Sequence, residues 1–162
     1  MAEGGPPACR LFIDGDLDDG LSLAPSNQQS HYLRHVLRLP DGAPIGVFNG
    51  RDGEWLARLT RHGKRSAALD LIRLIKPQPP AGDLHLLFAP LKHARLDYMV
   101  QKAVEMGASC LVPVITRHTQ VGRVNLDRMR ANAIEAAEQC NILALPEISP
   151  NHIWRQRRPY PR

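Results

Sequence analysis

The chain has 162 residues, with 21 Lys and Arg against 16 Asp and Glu and a formal net charge of +5. Its 43% apolar and 23% charged residues are those of a folded soluble chain, with room for one ordinary domain or two small ones. No apolar run approaches the roughly 20 residues of a membrane span, and MAEGGPPACR does not open as a secretory signal. Three scattered cysteines, Cys9, Cys110 and Cys140, form neither a disulfide framework nor a zinc motif. A reducing, cytoplasmic setting fits that usage.

In chain order, residues 10–14 (RLFID) read as a short strand in which Leu11 and Ile13 alternate with Phe12. Residues 31–39 (HYLRHVLRL) read as a helix whose inner face is Tyr32, His35, Val36 and Leu39, at i, i+3, i+4 and i+7. Pro40-Asp-Gly42 ends it. Residues 45–48, 55–60 and 67–75 are strand-like, and Asn49-Gly50, Asp52-Gly53 and His62-Gly63 supply turns between them. Short strands at this spacing predict a small barrel that closes its own edges.

Residues 76–83 (KPQPPAGD) hold three prolines and a glycine and mark a domain boundary. Beyond them, 84–90 (LHLLFAP) is a nearly continuous apolar run, as in a strand covered on both faces. A helix over 94–106 follows, with Leu96, Met99, Val100, Ala103 and Val104 at helical spacing and Gly107 at its C-terminal end. Residues 109–115 form the next strand. Asn125 then caps a helix to 141 whose inner face is Leu126, Met129, Ala133, Ala136, Ala137 and Cys140. A third short strand over 144–148 completes a β-α-β-α-β run, the pattern of a parallel α/β sheet.

The charge is unevenly placed. Residues 1–150 hold 17 basic and 16 acidic side chains, while NHIWRQRRPYPR adds Arg155, Arg157, Arg158 and Arg162 without an acid. Within the body, residues 58–76 set Arg58, Arg61, Lys64, Arg65, Arg73 and Lys76 against Asp70 alone. Such a stripe tracks a phosphate backbone or is simply a solvated face. Arg34 and Arg38, four apart on the first helix, add a second stripe. Lys92, Arg95 and Lys102 fall at or just after the first α/β strand, and Arg117, His118 and Arg123 after the second, where ligands of open sheets bind. His31 and His35 are also four apart, but no acid lies between them in HEXXH fashion, so no metal is expected. Cys140 reads as core. The last glycine is Gly122, which leaves the final forty residues without the residue that backbone cradles for cofactors usually need.

Blocks of residues in order carry a resemblance. RLFID and HYLRHVLRLPDGAPIGVFNGRDGEW are similar to the N-terminal PUA-like domain of the ribosomal RNA small subunit methyltransferase E family. LLFAPLKHARLDYMVQKAVEMGASCLVPVITRHTQV and then AAEQCNILALPEI resemble the opening half of that family's SPOUT methyltransferase domain. Ile142 stands where many relatives carry Arg. The resemblance implies an α+β and α/β chain: a PUA-like RNA-binding barrel (1–78), the first part of a SPOUT alpha/beta knot domain (79–150) and an atypical basic tail (151–162). It implies methylation of uridine N3 in 16S rRNA with S-adenosylmethionine, by a homodimer joined through the knot. RNA contacts then fall to basic residues of both parts: Arg10, His31, Arg34 and Arg38, and Lys92, Arg95, Lys102 and Arg117. The family's GPEGG-like and LGxRILRxETA-like segments, which hold the methyl donor and the knot, do not occur here. The expectation is thus a C-terminally truncated and inactive member that lacks the donor site, the knot and an assignable catalytic base. The alternative is a non-catalytic RNA-binding or ribosome-associated PUA-like module.

Overall fold

The computed structural model describes residues 5–63, 66–116, 119, 123–150 and 152–153. The chain divides into two compact units, Met1–Pro79 and Pro80–Arg162. The division falls among Pro77, Pro79 and Pro80, which fix φ and remove backbone donors.

The first unit holds five strands: β1 (Arg10–Phe12), β2 (Ser22–Leu23), β3 (Pro44–Phe48), β4 (Glu54–His62) and β5 (Ser66–Lys76). They pair in the order β1-β3-β4-β5-β2, with β1 parallel to β3 and every other pair antiparallel. The β4–β5 register skips Ile72 and Ile75 of β5, two bulges that add twist to the longest hairpin. One apolar cluster takes Leu11, Ile45, Val47, Ala57, Leu59 and Leu69 from the strands. Pairing among the described residues ends at β1 on one side and β2 on the other, so strands alone do not close the edges as the sequence suggests. Leu17 from the β1–β2 connection and Leu33 from the helical segment complete the core instead.

That helical segment differs from the sequence reading. Helix α1 (Asn27–His31) starts four residues earlier, at a capping box in which Ser26 Oγ accepts from Gln29 N and Gln29 Oε1 accepts from Ser26 N. Gln29 Nε2 also donates to the Phe12 carbonyl at 2.7 Å, which ties α1 to β1. The helix then widens into a π turn (Tyr32–Val36), closed by Leu37 N donating to Tyr32 O at 2.9 Å. The extra residue in the turn shifts the helical phase. Leu33 is therefore the fully buried side chain, with Leu37 and Leu39 packed on the core, while Tyr32 is 42% and Val36 59% exposed. Of the expected inner face, Tyr32, His35 and Val36 point outward and Leu39 alone packs inward.

The β3–β4 connection, Asn49–Gly53, is held by side chains. Asn49 Oδ1 accepts from the N–H groups of Arg51 and Asp52, and Asn49 Nδ2 donates to Gly15 O. Asp52 accepts from Leu17 N at 3.1 Å and from Asn49 Nδ2. The Asn49 amide foremost, then Leu17 N–H and Arg51, holds the Asp52 carboxyl below the ordinary aspartate value, against the opposing cost of burial. Gly53 has φ +81°, and a Cβ there would stand 2.4 Å from the Lys76 carbonyl oxygen. Only glycine fits.

In the second unit, β6 (His85–Phe88), α2 (His93–Glu105), β7 (Cys110–Ile115), α3 (Leu126–Gln139) and β8 (Glu147–Ile148) alternate. β7 is central and parallel to its neighbours, with β6 on one side and β8 on the other. A further strand, β9 (His152–Ile153), continues along β7 in parallel, opposite Val114 and Ile115. Pairing slips by one residue between β8 and β9, across Pro150, which has no N–H to donate. The start of the segment read as an atypical tail thus extends the sheet. α2 ends in Gly107 at φ +80°, and α3 ends before Asn141 at φ +58°, both left-handed terminations.

The helices lie side by side, tied by Asp97 of α2, which accepts from Arg128 Nε (3.0 Å), Arg128 Nη2 (2.6 Å) and Asn132 Nδ2 (2.7 Å) of α3. Val100, Val104, Met129 and Ala137 are buried with Leu111 and Pro113 of β7. The register places Leu86 and Phe88 on that same face and Leu87 on the other, beside Val112. Leu87 is 59% exposed. The cover on both faces that the apolar run predicts is not supplied by the described residues. Cys140 is likewise exposed, beyond the last turn of α3, and not part of its inner face as expected.

Candidate nucleic-acid interface

Arg10 stands apart from the other cations expected to meet RNA. Its side chain is 9% exposed, and its Nε donates to Glu54 Oε1 at 2.8 Å, with Glu54 itself only 2% exposed. The guanidinium carbon lies 4.5 Å from the Phe48 ring centroid, a cation–π contact. Lys76 Nζ approaches the other Glu54 oxygen at 3.3 Å. A Cβ at residue 46 would stand 2.6 Å from Glu54 Oε1, so Gly46 leaves the space in which the carboxylate sits. Arg10 and Lys76 neutralise a buried charge, and the Arg10 side chain lies inside the first unit, not on its surface. A buried carboxylate needs such partners.

The π turn is where the remaining cations of the first unit gather. His31, His35 and Arg38 are exposed, and the rings of His31 and His35 face each other at 4.9 Å with a 33° tilt. Arg34 Nη2 donates to Gly63 O at 3.3 Å, which joins the turn to the tip of the β4–β5 hairpin. Arg61 reinforces the join: its N–H donates to Asp41 Oδ1 at 2.7 Å and its guanidinium to Leu39 O. Arg38 lies beyond the helical segment with φ +53°, so Arg34 and Arg38 do not form a stripe on one helix. Residues 20–40 contain no Asp or Glu. Arg58 and Arg73 remain exposed on the sheet, whereas Lys64 and Arg65 lie outside the described residues.

In the second unit, the expected trio separates along α2. Lys92 caps the helix and Arg95 lies in its first turn, both after the carboxyl end of β6. Lys102 is in the last turn, two and a half turns away, where Glu105 accepts from Nζ at 2.7 Å and holds the ammonium above its ordinary value. Arg117 lies outside the described residues. A cleft of about 240 Å³ between the starts of α2 and α3 brings Lys92 together with Arg123, Asp97 and Arg128. Asp97 raises the Arg128 guanidinium above its ordinary range. Neither Asp97 nor Arg128 was singled out from the sequence, because they meet only when the helices pack. A larger groove of about 710 Å³ runs along α2, lined by Leu84, Leu86, Leu91, Tyr98 and Met106 with Arg95 and Lys102 at its margin. It is apolar and carries no carboxylate.

Among the described residues no group of three His, Cys, Asp or Glu could hold a metal ion, and no helix is long and apolar enough to cross a membrane. Among the described residues, His31 and His35 belong to no such group.

Residues 25–72 match the model of the RNA methyltransferase PUA domain, and residues 77–155 that of the RNA methyltransferase domain. The ribosomal RNA small subunit methyltransferase E of Rickettsia conorii is 33% identical over 86% of this chain, which spans 57% of that protein. The enzyme of the same name from an aphid Buchnera is 26% identical over 86% of this chain and 58% of its own length. A methyltransferase from Legionella pneumophila, solved with the cofactor SAM bound, superposes with a TM-score of 0.79 at 25% identity over 90% of this chain and 63% of its own. The Neisseria gonorrhoeae ribosomal RNA small subunit methyltransferase E, bound to S-adenosyl methionine, shares the fold with a TM-score of 0.80 at 24% identity. The described second unit therefore corresponds to part of a SPOUT methyltransferase domain, joined to a PUA-like domain. The chain spans a little under two thirds of each of these relatives. From its two matched domains and the order of its blocks, the chain belongs to the ribosomal RNA small subunit methyltransferase E family.

Proposed function

We propose that this chain acts in the cytoplasm as the RNA-binding part of a system that methylates N3 of a uridine in 16S rRNA, with S-adenosylmethionine as the methyl donor. The observation that carries the reading is the set of cations on the π turn, where Arg34, Arg38, His31 and His35 meet solvent in a segment with no acid from residue 20 to residue 40, within an RNA methyltransferase PUA domain. Phosphates supply most of the affinity in RNA binding, and cations without neighbouring carboxylates are what they require. Lys92 and Arg123, at the carboxyl end of the second sheet, support a second point of contact, while Arg128 beside them is held by Asp97. Arg95, Lys102 and Arg117 complete the proposed RNA-facing set.

The described residues do not fit the methyl donor. Gly82 and Gly107 precede β6 and β7, so the two described glycines of the second unit stand at the amino ends of strands, away from where α/β sheets hold ligands. The large groove offers cations at its margin to a donor whose sulfonium is itself cationic. Bound S-adenosylmethionine supplies the methyl group in such reactions, and uracil N3 must lose a proton for the transfer. The carboxylate at the small cleft, Asp97, is already held by Arg128 and Asn132 and is no free base. We therefore assign this chain RNA binding without methyl transfer.

The test measures three quantities on the full chain: retention of a 16S rRNA fragment on filters, methyl incorporation from radiolabelled S-adenosylmethionine, and heat of titration with that donor. Salt-sensitive RNA retention without incorporation or donor heat is expected. Failure to retain RNA removes the reading as a whole; micromolar donor binding or methyl incorporation removes its non-catalytic half.

A further inference from the structure

The outer face of the π turn carries more than charge. Tyr32 and Val36 are the most exposed large apolar side chains of the segment, on a turn whose inward side chain, Leu33, is fully buried. Next to them the His31 and His35 rings lie against each other, 4.9 Å between centroids. Three rings and an aliphatic side chain are thus exposed to solvent within residues 31–36, interleaved with Arg34 and followed by Arg38, in a stretch whose sequence carries no carboxylate from residue 20 to residue 40. An exposed apolar cluster of this kind marks a contact surface, and a π turn is a frequent device for displaying one. The neighbouring charge decides the partner: cations without acids complement a polyanion. Rings decide its form. Every base has a π face that can lie on an aromatic side chain, but only where it is not already stacked inside a helix. A duplex offers this patch phosphates alone.

We infer that the π turn is a stacking platform for single-stranded RNA, with an unstacked base resting on Tyr32 or on the His31–His35 pair and flanking phosphates meeting Arg34 and Arg38. Arg34 uses one of its five donors on Gly63 O and keeps others for a phosphate. The platform rests on the RNA-binding reading above and adds the form of RNA that is bound and the side chains that recognise it.

The experiment uses the full chain with two probes, a short fluorescent RNA single strand containing 2-aminopurine and the duplex of the same sequence, each at low and high salt. The single strand is expected to bind at least fivefold more tightly than the duplex, with a change in 2-aminopurine emission on binding. Tyr32→Ala and His35→Ala should each weaken the single strand by about fivefold or more, in line with the loss of one base–aromatic contact, and leave duplex affinity and the salt slope unchanged. Tyr32→Phe should retain full binding, which separates the ring's role from any effect on folding. Arg34→Ala should weaken both probes alike and lower the salt slope by about one phosphate. Equal affinity for the two probes overturns the platform, as does a Tyr32→Ala variant with unchanged single-strand binding or with equal losses on both probes. If Arg34→Ala still weakens both, the RNA-binding reading survives that outcome. Binding of neither probe overturns both.

Discussion

The first unit removes Leu33, Ile45, Val47, Phe48, Leu59 and Leu69 completely from water around a single sheet, whereas the second buries Leu111, Pro113, Val100, Val104, Met129 and Ala137 on one face and leaves Leu87 open on the other. The strands of the second sheet are if anything the more apolar, as HLLF and CLVPVI against EWLARLTRH show. Among the described residues the difference lies in what covers the two sheets: the first has the helical segment and the β1–β2 connection closing over one core, and the second has two helices on one side. Leu84, Leu91, Tyr98 and Met106 add to the exposed apolar surface of the second unit. Local order therefore rests on different footings, a closed core in one unit and a half-covered sheet in the other.

The largest expected effect tests how far the first unit depends on its one buried charge. Arg10→Ala leaves Glu54 with Lys76 alone and is expected to cost about 3–5 kcal/mol, the range for breaking a buried pair from one side. Replacing the pair together, Arg10→Met with Glu54→Leu, should restore most of that loss, since it removes the charge that needs a partner. Urea unfolding followed by peptide-resolved hydrogen exchange reads the first unit separately. A loss below about 1 kcal/mol for Arg10→Ala, the range of surface pairs, would mean that the carboxylate is not confined as described.

A smaller step distinguishes crowding from backbone preference within the same unit. Gly53→Ala forces both a left-handed φ and a contact with the Lys76 carbonyl, and should cost about 2 kcal/mol or more. Gly42 has a similar φ, +79°, with nothing within 4 Å of a Cβ, so Gly42→Ala should cost only the conformational part, about 1 kcal/mol. Equal losses at the two sites would show that the β3–β4 connection has room to yield. Asp52 gives the same connection a pH signature. Its folded pKa is depressed below 3.8, so its contribution is complete above that value and is lost as pH falls through the lower folded value. The stability gap between the protein and Asp52→Asn should therefore narrow in acid; a gap that persists would place the tie elsewhere.

How much of this was readable in the sequence follows from the range of each interaction. Four of the five strands of the first unit were legible because alternation and the Asn-Gly and Asp-Gly turns are local signals, whereas the two-residue β2 carries no such period; the ordered blocks identified the family. The phase of the helical segment was not, because an i→i+5 bond between Tyr32 and Leu37 has no residue signature and rotates every following side chain. Arg10 read as a surface cation because its partner, Glu54, lies 44 residues away and two strands across the sheet. Asp97 and Arg128 are 31 apart on different helices and meet only through packing. β9 escaped because a two-residue strand pairs through backbone groups, to which side-chain periodicity is blind.

In the second unit the helix pair offers a probe of intermediate size. Asp97→Ala removes three hydrogen bonds between α2 and α3, but Arg128 is more than half exposed and water can replace much of what it loses. About 1 kcal/mol is expected, confined in hydrogen exchange to residues 93–139. Protection lost across the first unit as well would mean that the two units unfold together.

Leu87→Lys is expected to change stability least and to say most about the open face. An exposed position ordinarily tolerates substitution within about 0.5 kcal/mol. Leu87 neighbours Val112 on a sheet face that the described residues leave uncovered, and β6 is paired on one side only. A lysine there blunts an apolar edge strand without touching the helix-covered core. Sedimentation of the variant should show less self-association and protease should cut the second unit no faster, whereas Leu111→Lys, at a fully buried position on the opposite face, should unfold the unit. If Leu87→Lys instead costs more than about 1 kcal/mol, Leu87 is buried in solution, the face has a cover, and the contrast between a closed first unit and a half-covered second one disappears.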